Sequence, residues 1–377
     1  MRKISLIFGC AVAVISMFAQ KNIENNPVFV VGTYTDAGSN GLYSYRFNEM
    51  SGNVEVLDSF KIDNPSYLTF SNDGKILYAV SEMDMDNSFV TALAFNVEDG
   101  SFKKLNGASV GGSPCYVSTN GNMVVTANYG GGTISVFPLA SDGSLHPRSQ
   151  LLQGGVGGPD TLRQNLPHIH CVEFSPDGKV LYASDFSADR LLKFDVVNPM
   201  DMEKNTFGLQ ISTDSTGSPE EISINADSGP RHLIFDESGR HAYLLGELSG
   251  AVTVFDNVDN CLNVLQVIDG DPVYERASGD IHLSPDGRFL YTSNRRRNDG
   301  LSIFSVNPDG TLTNIGYQNT GRHPRNFAVT PDGNFILVAC RDDNVIEIYR
   351  RDKNTGLLTN IHKDMKISKP VCIKFVP

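Results

Sequence analysis

Tryptophan is absent from the 377 residues, which excludes repeats of about forty residues built on a Trp-Asp dipeptide. Cysteine is scarce, six in all, widely spaced and without a CxxC pair, so neither a zinc ribbon nor a dense disulfide framework is encoded. Positive charge is in deficit: 31 Lys and Arg stand against 43 Asp and Glu, a formal net charge of −12. No global field attracts polyanions, which argues against nucleic acid or an anionic membrane as partner. No phosphate-cradling P-loop occurs, and no helical periodicity runs long enough to define an α-helical domain. Beyond residue 18 no apolar run is long enough to span a bilayer.

What is present begins with "MRKISLIFGCAVAVISMFAQ". Arg2 and Lys3, an apolar run from Ile4 to Phe18 and the small Ala19 predict a signal peptide over residues 1–19, hence an exported, periplasmic or secreted protein. Cys10 follows an apolar stretch too short for a lipid-attachment site. The five remaining cysteines, Cys115, Cys171, Cys261, Cys340 and Cys372, sit in strand-like surroundings and are expected as buried thiols.

Six segments align under one another: "LTFSNDGKILYAVSE", "VSTNGNMVVTANYG", "FSPDGKVLYASDF", "IFDESGRHAYLLGEL", "LSPDGRFLYTSNR" and "VTPDGNFILVACR". Each is an apolar run, a turn ending in Gly and a second apolar run, the pattern of a β-hairpin. The turn glycines, Gly74, Gly121, Gly178, Gly239, Gly287 and Gly333, are separated by 47, 57, 61, 48 and 46 residues. Alternating stretches such as "TISVF" and "GLSIF" supply a third strand, and a further turn a fourth. Four strands repeated at this period predict a β-propeller. "VFVVGTYTDAGSNGLYSY" (28–45) lacks a first strand, and "KPVCIKFVP" at the C-terminus supplies one and stops. Joined, they make a seventh blade, so residues 27–377 are expected to form one seven-bladed ring.

In such a ring the start of each first strand shares a rim with the end of the second. Nine residues before the turn glycine, Pro or its equivalent opens the first strand, and the next residues, Ser66, His170, Arg231, Gly279, Arg325 and, in the last unit, Val371, fall there. The matching second-strand ends are Thr33, Glu82, Asn128, Asp185, Glu247, Asn294 and Cys340, with Tyr34, Tyr129, Arg295 and Arg341 one step on. Opposite charges gathered at one opening are good site chemistry. Arg295 of "SNRRR" falls on the rim, and Arg296 and Arg297 beyond it, on solvated loop. His170, Arg231, Glu247 and Arg295 are the catalytic candidates. Asn128, Tyr129, Asn294, Arg325 and Arg341, with Arg163, His168 and His232 beside them, are candidates for holding substrate.

Other signals weigh less. "GASVG" (107–111) matches G-x-S-x-G but lacks the strand-to-helix turn a nucleophile elbow needs. "HIH" (168–170) could offer two imidazoles to a metal, yet no third ligand adjoins it. "GGVGGPDTLRQNLP" (154–167) reads as a loop able to fold over the rim. Val197 to Gly229 reads as an acidic connecting loop.

The motifs "VGTYT…GLYSY", "ANYGGGTISVFPL", "RQNLPHIHCVEFSPDG", "GPRHLIFDESGRHAYLLGEL", "GDIHLSPDGRFLYTSNR" and "HPRNFAVTPDGNFILVACRDDN" resemble, in order from Val28 to the C-terminus, the seven-bladed propeller lactonase family. That family includes propeller-type 6-phosphogluconolactonases and fungal carboxymuconate cyclases. The resemblance implies metal- and cofactor-independent opening of a lactone ring, or its closure in the cyclases. It places the functional His, Arg, Glu and Arg on His170, Arg231, Glu247 and Arg295. The expected protein is a monomer acting on a small-molecule lactone, with Glu247 as base and His170 as donor or relay, or the reverse. An export signal speaks against a phosphorylated, cytosolic substrate. The alternative from another class is a non-catalytic propeller that binds a glycan or protein, but only Tyr34 and Tyr129 offer it rim aromatics.

Overall fold

The computed structural model describes residues 26–197, 208–213 and 219–377; the expected signal peptide and Cys10 lie outside them. Seven antiparallel sheets follow one another, each a meander running from the centre outward, five of them of four strands and two of five, in which two short strands share the outermost place. The innermost strands are Leu68–Phe70, Pro114–Thr119, Ile169–Phe174, Pro230–Phe235, Ser278–Leu283, Pro324–Val329 and Pro370–Phe375. Each packs against the next, and the last returns to the first, so the ring is closed. Among the described residues only three short 3₁₀ turns interrupt the β-structure.

Closure joins the two ends of the chain as the split repeat predicts. Val28–Thr33 pairs with Pro370–Phe375, Val30 opposite Lys374 and Gly32 opposite Cys372. Every ladder bond of this joint is non-covalent and long-range, and it leaves Val28–Thr33 paired on both edges. The turn glycines carry the positive φ their hairpins demand, for instance 69° at Gly74 and 65° at Gly287.

Apolar side chains of successive sheets interdigitate, and a repeated polar bond fixes their stacking. In four blades the second strand carries a fully buried tyrosine: Tyr78, Tyr182, Tyr243 and Tyr291. Its hydroxyl donates to a carbonyl in the outer turn of the next blade, at Gly143 (2.9 Å), Asn260 (2.6 Å), Gly310 (3.0 Å) and Gly356 (2.8 Å) respectively. A buried phenol thus finds its partner.

Two expectations need correction. The insertion after Val197 is not only loop: Gly208–Ile211 and Glu221–Ser223 both pair with Arg190–Val197 and split the fourth strand of that blade. Cys261 is exposed at the start of an outer strand, whereas Cys115, Cys171, Cys340 and Cys372 are buried free thiols.

Candidate active site

One rim of the channel is built from two rings of side chains. The first arises from β-bulges. At Cys115, His170, Arg231, Arg325 and Val371 the pairing of first with second strand skips one residue, and at Gly279 it slips likewise. A bulge lifts its residue out of the ladder and re-aims the side chain. The second ring follows the second strands: Tyr34, Glu82, Tyr129, Phe186, Glu247, Arg295 and Arg341. Six of these donate a backbone N–H to the carbonyl two residues before the bulge position of the same blade, as Glu247 does to Gly229 at 2.8 Å. Arg295 reaches the equivalent carbonyl, Ala277, through its side-chain Nε at 2.7 Å.

Three adjacent blades bring the four catalytic candidates together. Glu247 is 6% exposed, His170 5%, Arg231 2% and Arg295 6%. Arg231 Nε lies 2.9 Å from Glu247 Oε2, Arg295 Nη2 3.3 Å and His170 Nε2 3.7 Å from the same oxygen. Glu247 Oε1 accepts from Arg163 Nη2 at 2.7 Å. Three guanidiniums thus share one carboxylate, leaving two positive charges in excess (3 − 1 = 2). Backbone carbonyls hold the donors in place: Arg295 also bonds Ser278 O at 2.8 Å, and Arg231 bonds Gly279 O. Gly279 is required there, since a Cβ would stand 2.5 Å from Ser293 Oγ and about as close to two backbone carbonyls as 3.0–3.1 Å.

Burial pushes the Glu247 carboxyl up, but Arg295, Arg231, His170 and Arg163 together hold it well below the usual carboxylate range. Burial, reinforced by Arg231, holds His170 well below the ordinary imidazole value against the pull of Glu247. At neutral pH the site is therefore an ionised carboxylate, a neutral imidazole and charged guanidiniums. Burial lowers Arg295 to about 9, with Glu247 opposing, which leaves it charged at pH 7.

Arg163 comes from the insertion over residues 154–167, which folds back across the rim. Gln164, 2% exposed, anchors it through Nε2 to Phe186 O at 2.9 Å. Farther out, Arg276 binds Asp160 of this lid at 2.5 Å and Asp227 of the neighbouring blade's entry loop at 2.5 Å. His168 donates from Nδ1 to the Tyr129 carbonyl (2.7 Å) and stacks on the Tyr129 ring at 4.1 Å, 3° from parallel. His170 meets the edge of the same ring, at 5.4 Å.

Other candidates lie elsewhere. Glu82 and Glu247 belong one step beyond the strand ends, in the ring of Tyr129 and Arg295. Asn128 and Asn294 end their strands and face the interior of their own blades. Asn128 is spent on Thr133, Ser135 and Thr126, and Asn294 on Gly270, Ser302 and Ser278; neither reaches the mouth. His232, one residue past the bulge, points into a deeper layer, where Nδ1 meets Asp280 at 2.6 Å and the ring abuts Tyr67 and Tyr116. Arg325 sits across the mouth, paired with Glu82 at 3.3 Å and over the Tyr34 ring. Arg341 is turned to Asp342 at 2.7 Å. Cys115 is the residue the spacing missed: its sulfur lies 3.7 Å from His170 Nδ1. Its hairpin is two residues shorter than the others, seven from Pro114 to Gly121 instead of nine, so counting back from the turn passes over it. Burial raises its thiol far above the usual range, so it is no thiolate nucleophile.

A cavity of about 470 Å³ opens at the opposite end of the channel, lined by Glu173, His282 and Lys374 among others and floored by the layer of Tyr67, Tyr116 and His232. It has one lysine and no arginine, and the charge cluster lies at the other mouth.

The family model for the seven-bladed β-propeller lactonases matches residues 28–375. A 6-phosphogluconolactonase of Formosa agariphila is 32% identical over 349 residues, 90% of this chain and 96% of its own. The crystal structure of a candidate 6-phosphogluconolactonase from Bacteroides uniformis superposes with a TM-score of 0.89 at 50% identity, over 93% of this chain and all of that one (100%). The periplasmic gluconolactonase of Pseudomonas aeruginosa gives 0.85 at 32% identity, over 93% of this chain and 99% of the other. The chain belongs to the lactonase family of seven-bladed β-propellers.

Proposed function

We propose that this protein hydrolyses a sugar lactone at the arginine-rich mouth, without a metal. One observation carries the reading: a neutral, buried imidazole beside a carboxylate that three guanidiniums over-compensate. Ester hydrolysis needs a base for the attacking water and fixed positive charge where the oxyanion develops. Glu247 is a poor base, because its partners stabilise it ionised. It serves instead to gather Arg163, Arg231 and Arg295, whose surplus charge faces the carbonyl oxygen or an acidic substituent. His170 takes the water proton on Nε2, and the imidazolium so formed is held by Glu247 Oε2, 3.7 Å away.

The relatives named 6-phosphogluconolactonase and gluconolactonase support an aldonolactone as the substrate class. The leader expected over residues 1–19, with the periplasmic relative, favours an unphosphorylated sugar lactone outside the cytoplasm. Purified mature chain is to be assayed on glucono-δ-lactone and on its 6-phosphate, beside His170→Ala. Turnover of the unphosphorylated lactone, reduced at least about 10²-fold in the variant, is expected; wild-type rates from His170→Ala overturn the site.

A further inference from the structure

The mouth has a base and an oxyanion cradle, but the ring oxygen must leave as an alkoxide, about as basic as hydroxide, whose conjugate acid has a pKa of about 15.7. Something must hand it a proton. None of the four catalytic candidates is placed to do so: the guanidiniums hold their protons too tightly to give one up, Glu247 is ionised, and the proton that His170 takes from water is held towards Glu247 Oε2, 3.7 Å away. Tyr129 is different. Its hydroxyl accepts from Arg163 Nη2 at 3.5 Å, and its own proton goes to no acceptor among the described residues. The ring is locked by stacking on His168 at 4.1 Å and by the edges of His170 and Phe186 at 5.4 and 5.6 Å. His168 is fixed in turn by its bond to the backbone carbonyl of Tyr129 itself, at 2.7 Å. A phenol held this firmly by three aromatic neighbours, with an unspent proton beside the arginine that reaches Glu247, is built to donate.

We propose that Tyr129 is the acid of the reaction, protonating the ring oxygen as it leaves, and that His168 is the positioning residue that holds the phenol in line. The inference rests on the mouth being the active site. The water oxygen bonds to the acyl carbon and its proton passes to His170. The bond from acyl carbon to ring oxygen then breaks, its electron pair stays on that oxygen, and the Tyr129 proton joins it. The proton on His170 returns through solvent to the phenolate, so the sum is lactone plus water to hydroxy acid. Burial, with the Glu247 charge beside it, raises the Tyr129 phenol above its usual value and keeps it protonated until it is needed.

The leaving group provides the test. Glucono-δ-lactone expels an alkoxide, whereas the aryl lactone dihydrocoumarin expels a phenoxide, with a pKa near that of tyrosine, about 10, that needs no acid. Tyr129→Phe keeps the stack and removes only the hydroxyl. It should lower kcat on glucono-δ-lactone by about 10²-fold with KM within about twofold, and lower dihydrocoumarin turnover by less than about fivefold. Equal losses on both substrates, or a raised KM with unchanged kcat, overturn the proposal. If the wild type does not open dihydrocoumarin, the split between kcat and KM on glucono-δ-lactone decides alone. His168→Ala should follow Tyr129→Phe, and His168→Phe, which restores a stacking ring, should recover at least about half of the lost rate constant on a logarithmic scale. Unchanged turnover in His170→Ala would refute the mouth itself, an outcome separate from any result at Tyr129.

Discussion

Arg163 and Glu247 stand 84 residues apart in the chain and 2.7 Å apart in space. The contact depends on the lid lying closed, and the lid is tied down at a distance by Arg276, between Asp160 and Asp227. Arg276 touches none of the groups at the mouth. Arg276→Gln should therefore leave the melting temperature within about 2 °C, because partly exposed ion pairs contribute little to stability. It should raise KM and lower kcat together, as loosening a lid does. Steady-state kinetics with a thermal melt check this; unchanged kinetics would mean that the latch holds nothing the reaction needs.

Glu82 and Glu247 occupy equivalent places in two blades, yet Glu247 carries three guanidiniums and Glu82 one. Glu247→Gln leaves buried cations uncompensated and should cost about 3–5 kcal/mol of stability and about 10²–10⁴-fold in kcat. Glu82→Gln should lose far less of both. Chemical denaturation and kinetics on the pair separate the site from a generic channel charge.

The repeat, the blade count and the closure could be read from the sequence, because turn glycines and alternating apolar runs are local signals. The mouth was read in part: the count found most of its bulged residues but misaligned the ends of the second strands. On the second strand, which the bulge does not interrupt, Glu247 stands eight residues after its turn glycine, as Tyr129 and Arg295 do, whereas Asn128 and Asn294, which face the blade interior, stand seven after theirs. An extra residue such as His170 or Arg231 shifts the parity of the strand it interrupts, so the residue that follows it turns to another layer. His232, expected at the mouth beside Arg231, belongs to the layer beneath for that reason. Arg163 and Glu247 meet from different blades, and Arg276 of a third ties down the lid that carries Arg163; no local pattern encodes that.

Acid should weaken the fold before it weakens catalysis. His232 is pushed down to about 4 by burial and by Arg231, against Asp280, while an unfolded histidine titrates near about 6.5. The unfolded chain binds the proton first, so stability is complete above about 6.5 and is lost as pH falls from there through about 4, on the order of 3 kcal/mol for this group. His170, depressed for the same reason, adds in the same direction. The kcat profile should stay flat from pH 8 to below about 6, since His170 is still neutral there. Denaturation at pH 7.5 and 5, beside the rate profile, checks both. A kcat that halves near pH 6.5 would show that His170 titrates normally.

Exhaustive chelation should leave lactone opening unchanged, since His168 spends its Nδ1 on the Tyr129 carbonyl and His170 faces Glu247. Activity lost to chelator and restored by a divalent ion would refute the metal-free mechanism.

Removing residues 369–377 takes away the inner strand that pairs with Val28–Thr33. The inner edge of Val28–Thr33 then faces an open channel, and the melting temperature should fall by more than about 10 °C, with aggregation. A truncated chain that melts like the full one would contradict closure by this strand.

The bulge at the mouth also separates two kinds of constraint. A residue in a ladder answers to its cross-strand partner and to the packing on both faces. The bulged residue has no cross-strand partner, and in this one chain the equivalent places hold Cys115, His170, Arg231, Arg325 and Val371 without disturbing the sheets around them, Gly279 alone being fixed by the crowding of its neighbours. The chemistry of the mouth can therefore be rewritten by substitution while the frame is inherited unaltered. Divergence within such a ring should concentrate at these places, and a designer wishing to change what the protein acts on would begin there.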